Sequence, residues 1–103
     1  MPARARLSES EVAEFLKGHR LWRLEEGELR RTYEFPSFQD SVRFVNEVAA
    51  LAERESHHPD INLNYRRVTI ALVTYDLDGV TRRDTEVAEK IDALKAGSTK
   101  PAR

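Results

Sequence analysis

The sequence predicts an α+β domain with three helices packed on one face of a four-stranded antiparallel sheet. Two segments alternate apolar and polar residues on either side of a turn, which is typical of β-hairpins. Three other segments repeat apolar residues at helical spacing behind a capping residue. Their order is helix, hairpin, helix, hairpin, helix, so the hairpins supply four strands that the helices can cover.

The composition is that of one globular domain. The chain has 103 residues, of which 40% are hydrophobic and 34% are charged, and a chain of this size supports a single core. We expect the domain to occupy residues 1–96. Residues 97–103 are polar and broken by Gly and Pro, which predicts a disordered C-terminal tail.

Charge and residue usage exclude several classes of function. The net charge is −1, with 17 Lys and Arg against 18 Asp and Glu, so there is no overall field that would attract nucleic acid. The absence of cysteine excludes disulfides, thiol catalysis and Cys-based metal sites. No apolar run approaches the roughly 20 residues that span a bilayer. We therefore expect a cytoplasmic protein without membrane association.

Local signals predict the first helix and the first hairpin. Ser8 and Glu11 form a capping-box pattern at the start of a helix that ends near Gly18. Gly27 lies between two alternating runs, so we expect a tight turn there, with Arg31 as the one charge on the inward face. The apolar residues are Val12, Phe15 and Leu16 in the helix, and Trp22, Leu24, Leu29, Tyr33 and Phe35 in the hairpin.

The longest periodic segment predicts the second helix. Ser37 is a favourable N-cap, and Asp40 lies in the first turn. Pro59 ends the helix, because proline disfavours helical geometry in the residue before it. We expect one side of this helix to face the sheet. That side comprises Phe38, Val42, Val45, Val48, Ala49 and Ala52, widened by Phe44 and Leu51.

The second hairpin and the third helix complete the domain. The other register of the fourth strand is not strongly polar, which predicts a face that a partner covers or that lines a pocket. After a turn at Gly79, Thr81 and Asp84 form a second capping box. The hairpin's inward register is Ile61, Leu63, Tyr65, Val68, Ile70 and Leu72, its other register is Thr69, Ala71, Val73 and Tyr75, and the helix aligns Val87, Ala88, Ile91 and Leu94.

Two adjacent histidines, His57 and His58, follow the second helix and allow three interpretations. They are candidates for an acid/base pair, because the unperturbed pKa of histidine, about 6.5, lies near neutral pH. They also suit an ordinary helix terminus, because a cation is favourable at the negative end of the helix dipole. A metal site is the weakest interpretation, since His19 lies in another segment and no zinc or iron spacing is present.

Four charged residues near the histidines have both a functional and a structural interpretation. Glu53 lies four residues before His57 on the same helical face, where it can orient an imidazole or form a solvated surface pair. Asp84 is already explained by its capping box. Arg83, with its neighbour Arg82, can bind an anion or remain exposed.

Together these residues resemble the pterin-4a-carbinolamine dehydratase family. The resemblance covers roughly residues 20–95 and includes Trp22, the segment FPSF and the segment GVTRRD. The residues that match the family's spacing without a gap are Glu53, His57, His58, Pro59, Tyr65 and Asp84.

The resemblance implies a hydro-lyase that dehydrates 4a-hydroxytetrahydropterin to quinonoid dihydropterin in tetrahydropterin recycling. It implies no metal or organic cofactor, and a homodimer or homotetramer whose contacts would cover the partly apolar sheet face. It also implies that Arg83 pairs with Asp84 at the rim of the site. The implied catalytic residues are His57, His58 and Asp84, and the implied substrate-binding residues are Glu53, Ser56, Pro59, Thr74, Tyr75 and Arg83.

One position departs from the family's pattern. The chain has Thr74 followed by Tyr75, where the family usually has Thr followed by a distal His. The pKa of tyrosine is about 10, so Tyr75 can donate a hydrogen bond but is a poor base at neutral pH. Two hypotheses follow. The first is a working dehydratase, and the second is a dehydratase-like scaffold that binds a protein client, as family members do in RuBisCO assembly or transcription-factor dimerisation.

Overall fold

The computed structural model describes residues 5–98, and these form three helices, four strands and one 3-10 turn. The predicted α+β class is confirmed, with a 3-10 turn before the last helix that was not predicted. No helix among residues 5–98 is long and apolar enough to cross a membrane. The elements are α1 (Glu9–Gly18), β1 (Arg23–Glu25), β2 (Glu28–Glu34), α2 (Phe38–Glu55), β3 (Asp60–Asn64), β4 (Arg67–Leu72), the 3-10 turn (Tyr75–Leu77) and α3 (Arg82–Ser98).

The third helix runs further than the sequence suggests. Its last two residues, at 97 and 98, belong to the segment that was predicted as a disordered tail. The remainder of that predicted tail lies outside the described residues.

The four strands form one antiparallel sheet in the order β1-β2-β4-β3. The two hairpins are joined through their second strands, so β2 and β4 are central. In this register Leu29 lies opposite Leu72, and Tyr33 lies opposite Val68. The alternating apolar residues of both hairpins therefore meet on one face of the sheet, as predicted.

All three helices contribute to a single core against that face, which confirms the predicted layers. Glu11 and Ser8 form the predicted reciprocal capping box at the start of α1. The core residues from the helices are Val12, Phe44, Val48, Leu51, Val87, Ala88 and Ile91, and those from the sheet are Leu29, Tyr33, Val68, Ile70 and Leu72.

The buried side of α2 differs from the predicted side. Phe38 remains 50% exposed and Ala49 is also exposed, whereas Phe44 and Ser41 are fully buried. Ser41 is tolerated in the core because its hydroxyl donates to the carbonyls of Phe38 and Tyr65, each at 2.7 Å. The prediction is confirmed for Phe44, Val48, Leu51 and Ala52, which are buried. It missed Ser41, because one bond that accommodates Ser41 comes from another element.

The two hairpin turns also differ in how well they were predicted. Glu26 and Gly27 both have positive φ, at 53° and 77°, which is the geometry of a tight two-residue hairpin turn and confirms the turn expected at Gly27. Tyr65 was predicted as an inward strand residue, but it lies in the β3–β4 turn with φ 57° and a mostly exposed ring. The alternation therefore ends at Leu63.

The second face of the sheet is polar, and the predicted partly apolar face is absent. β4 ends at Leu72, so the apolar residues expected at positions 73 and 75 lie beyond the strand. Within the sheet, the Thr32 and Thr69 hydroxyls bond each other at 2.9 Å. Arg30 donates to carboxylates of the first hairpin, namely Glu25, Glu26 and Glu28.

A polar cluster around Asp92 of α3 attaches the sheet to that helix. Arg31, the predicted inward charge, contacts Asp92 at 2.7 Å, and the Tyr33 hydroxyl donates to it at 2.6 Å. The Trp22 indole donates to both carboxylate oxygens. Burial, together with the bond to Asp92, raises the pKa of Tyr33 well above its ordinary value. Asp92 was not singled out from the sequence, because its partners lie about 60 residues away along the chain.

Candidate active site

The C-terminal end of α2 places both histidines beyond the helix. The helix ends at Glu55, before the predicted stop at Pro59, because Ser56 takes the left-handed conformation with φ 54°. The amide of His57 then donates back to the carbonyl of Ala52 at 3.2 Å. Ser56 therefore acts here through its backbone, and it turns the chain so that His57 faces α3.

His57 contacts a fully buried carboxylate. Its Nε2 lies 2.5 Å from Oδ1 of Asp84, and its side chain is only 12% exposed. Oδ2 of Asp84 accepts hydrogen bonds from the Thr74 hydroxyl and from the Thr81 amide, each at 2.8 Å. Because Asp84 is bonded as an acceptor on both oxygens, it fixes the imidazole with the proton on Nε2 and leaves Nδ1 as the acceptor.

Asp84 both caps α3 and contacts His57. Thr81 precedes α3, and its hydroxyl accepts a bond from the Arg83 amide while its own amide donates to Asp84, so the predicted cap is present. One carboxylate oxygen therefore caps α3, and the other holds His57. The Thr74 hydroxyl is occupied by Asp84 and Thr81, so Thr74 supports the carboxylate.

His58 forms a separate, exposed pair. Its Nε2 lies 2.6 Å from Oε2 of Glu53, and the two side chains are 61% and 78% exposed. The sequence predicted that Glu53 could orient His57, four residues on along the same helical face. Of the two possibilities, the structure shows the solvated surface pair, with His58 as the partner, because the helix ends at Glu55 and the turn at Ser56 directs His57 toward α3.

Tyr75 follows Thr74 in the chain but bonds a different carboxylate, that of Asp60. Its hydroxyl donates to Oδ2 of Asp60 at 3.0 Å, and the residue is 67% exposed. This hydrogen bond raises the pKa of Tyr75, since the carboxylate favours the protonated phenol. Sequence reasoning did not assign Asp60 to the site, although it directly follows the segment His57–Pro59.

Arg83 does not form the expected rim pair with Asp84. Its Nη2 donates to the carbonyls of Glu55 and Ser56, at 3.1 and 2.8 Å. A cleft of about 320 Å³ lies beside these groups and is lined by Glu55, His57, Arg83, Glu86 and Val87.

The ends of three elements thus bring the predicted site residues to one part of the molecule, in separate contacts. His57 joins Asp84, Thr74 and Thr81, whereas His58 joins Glu53 and Tyr75 joins Asp60. In the chain, Pro59 lies between His58 of the second group and Asp60 of the third. Within residues 5–98, no three His, Cys, Asp or Glu side chains are grouped as metal ligands.

Comparison with known proteins identifies the family. The sequence matches the pterin 4 alpha carbinolamine dehydratase family over residues 5–94. The chain belongs to this family. Relatives named for the dehydratase occur in Metallosphaera sedula, with 44% identity over 87% of this chain and 94% of the relative, and in Chloroflexus aurantiacus, with 45% identity over 86% and 96%.

Two solved structures of dehydratase-like proteins share the fold. A transcriptional coactivator/pterin dehydratase from Brucella melitensis has a TM-score of 0.84 and 32% identity, and covers 88% of this chain and 99% of its own. A pterin dehydratase-like protein identified as a RuBisCO assembly factor of the α-carboxysome has a TM-score of 0.61 and 27% identity, and covers 72% of this chain and 86% of its own. The fold is therefore found in proteins with both kinds of name.

Proposed function

We propose that this protein dehydrates 4a-hydroxytetrahydropterins to quinonoid dihydropterins, as a step of tetrahydropterin recycling. The observation that carries the proposal is the bond between His57 and the buried Asp84, in a chain that belongs to the dehydratase family. A carboxylate that fixes the tautomer of a histidine beside a cleft is a common arrangement for general acid–base catalysis.

The reaction needs two proton transfers. An acid protonates the hydroxyl on C4a, which leaves as water, and a base removes the proton from N5, so that a C4a–N5 double bond forms. Atoms balance with the loss of one water, and no oxidant or reductant is involved. General acid–base catalysis supplies about 10²–10⁴-fold in such a step, so neither a metal nor an organic cofactor is required.

His57 is the proposed base. In the neutral ring, the Nε2–H group donates to Asp84, so Nδ1 is the acceptor nitrogen. When Nδ1 takes the proton from the substrate, Asp84 stabilises the imidazolium, and Thr74 and Thr81 keep that carboxylate in place.

His58 is the proposed acid. It is exposed, so solvent can restore its proton after each turnover, and Glu53 orients its ring. The remaining substrate contacts expected from the family resemblance are Ser56, Pro59 and Tyr75. Tyr75 stays a protonated phenol in this scheme, because its hydrogen bond to Asp60 raises its pKa above the ordinary value.

The test is the rate of 4a-hydroxytetrahydropterin dehydration, followed by stopped-flow absorbance against the spontaneous reaction. We expect the protein to accelerate it and His57→Ala to remove most of the acceleration. His19→Ala is the matched control, because His19 contacts Phe15 and Glu89, in α1 and α3, outside the site. No acceleration by the wild-type protein would rule out the proposed activity.

A second candidate is a protein-binding or assembly function. It is favoured by the solved relative named as a RuBisCO assembly factor and by the outward position of Tyr75 at the site of the family's distal His. Co-expression with the two RuBisCO subunits tests it. If this function is correct, wild-type protein and His57→Ala should raise the yield of assembled RuBisCO equally.

A further inference from the structure

We propose that Arg83 is a positioning residue of this site, which fixes the end of α2 and thereby the backbone that carries His57. The proposal rests on the dehydration function proposed above. It assigns Arg83 to the protein's own carbonyls, in place of the substrate contact expected from the family resemblance.

The end of α2 presents carbonyls that need a donor. The last carbonyls of a helix have no partner within it and carry the negative end of the helix dipole. Nη2 of Arg83 uses its two N–H groups on two of them, Glu55 at 3.1 Å and Ser56 at 2.8 Å. The positive guanidinium therefore satisfies the helix end both as a donor and as a charge.

Lys90 of α3 also holds the helix end, through an ion pair of 2.9 Å with the side chain of Glu55, whereas Arg83 bonds the backbone. Ser56 has a positive φ, a conformation that residues other than glycine adopt uncommonly. The amides of Ser56 and His57 reach carbonyls within α2 through long hydrogen bonds, at 3.4 and 3.2 Å to Glu53 and Ala52. Ser56 directly precedes His57. Among the described residues, Arg83 is the one that gives the Ser56 carbonyl a short hydrogen bond from outside α2.

Asp84, the residue after Arg83, also attaches the segment around His57 to α3. Asp84 holds the ring of His57, and Arg83 holds the two residues before it, so the first turn of α3 contacts the segment at its backbone and at its side chain. Without Arg83, Asp84 would still bond the ring, but the backbone of His57 could shift relative to the cleft. Arg82 makes no such contact, since it is exposed and lies 3.8 Å from Glu86 in its own helix.

The experiment compares Arg83→Met, which keeps the length of the side chain but removes its donors, with the control Arg82→Met. We expect Arg83→Met to lower kcat for 4a-hydroxytetrahydropterin by between about 10-fold and about 100-fold with little change in KM, as misplacement of a catalytic group does. The Nε2 proton of His57 should exchange faster with solvent in proton–nitrogen NMR spectra. Arg82→Met should change neither measurement, and Arg83→Lys should restore part of both.

Four results would overturn the proposal. They are a wild-type kcat with an unchanged His57 signal in Arg83→Met, a rise in KM alone, an equal loss in Arg82→Met, or Arg83→Lys as impaired as Arg83→Met. If Arg83→Met does not fold, the comparison of Arg83→Lys with Arg82→Met decides between the same outcomes. If the wild-type protein does not accelerate dehydration, the proposed function fails, but the His57 NMR signals still test the role of Arg83.

Discussion

At the scale of single residues, the site consists of three acid–histidine or acid–tyrosine contacts with different exposure. Asp84 is buried and contacts a nearly buried His57, whereas Glu53 and His58 are both largely in solvent. An exposed ion pair contributes at most about 1 kcal/mol, because water screens it and both side chains lose freedom. The buried contact is therefore the stronger restraint on an imidazole, and the catalytic proposal depends on it.

The bond between Tyr75 and Asp60 predicts a measurable pKa change. Asp60→Asn removes the carboxylate that favours the protonated phenol, so the pKa of Tyr75 should fall toward the ordinary value of about 10. The titration is followed by the ultraviolet absorbance of tyrosinate, with Tyr75→Phe identifying the contribution of this residue. Asp40→Asn is the control, because Asp40 pairs with Arg43 at the start of α2. An unchanged Tyr75 titration in Asp60→Asn would contradict the contact.

At the scale of elements, the sequence correctly predicted the features that local signals determine, namely the helix starts and the first hairpin turn. The capping residues Ser8, Ser37 and Thr81 marked all three helices, and the alternation around Gly27 marked the first hairpin. The predicted buried side of α2 missed Ser41, because Ser41 bonds the Tyr65 carbonyl, 24 residues away. A pattern within one helix carries no information about such a partner.

The cluster at Asp92 predicts how stability depends on pH. The pKa of Tyr33 is raised in the folded chain, so its protonated hydroxyl contributes stability that is fully present below the unfolded pKa of about 10 and is lost as the pH rises above it. Tyr33→Phe should lower the free energy of unfolding by about 1–3 kcal/mol at neutral pH, because the partly buried carboxylate of Asp92 loses a donor. It should also reduce the loss of stability at alkaline pH.

Urea unfolding at several pH values measures both effects. Tyr65→Phe is the matched control, since the Tyr65 ring is mostly exposed in a turn and its recorded bond uses the backbone carbonyl. Equal unfolding free energies for Tyr33→Phe and the wild-type protein would show that the hydroxyl does not stabilise the link between β2 and α3.

At the scale of the whole molecule, the candidate site forms where α2 ends, β4 ends and α3 begins. The resemblance to the family singled out His57, His58 and Asp84 as candidates, and the family itself is confirmed. The sequence could not show which residues contact one another. These contacts depend on the turn at Ser56, and His57 and Asp84 lie 27 positions apart in the chain. The same reason explains why Arg83 was assigned to the substrate although it bonds the end of α2.

The most direct test of the central claim is a double-mutant cycle on His57 and Asp84, measured as kcat/KM for 4a-hydroxytetrahydropterin dehydration. If Asp84 acts through His57, the losses from His57→Ala and Asp84→Asn do not multiply, because groups that act as one unit are not additive. We therefore predict that the double variant is no slower than His57→Ala alone. A double variant whose loss equals the product of the two single losses would contradict the account.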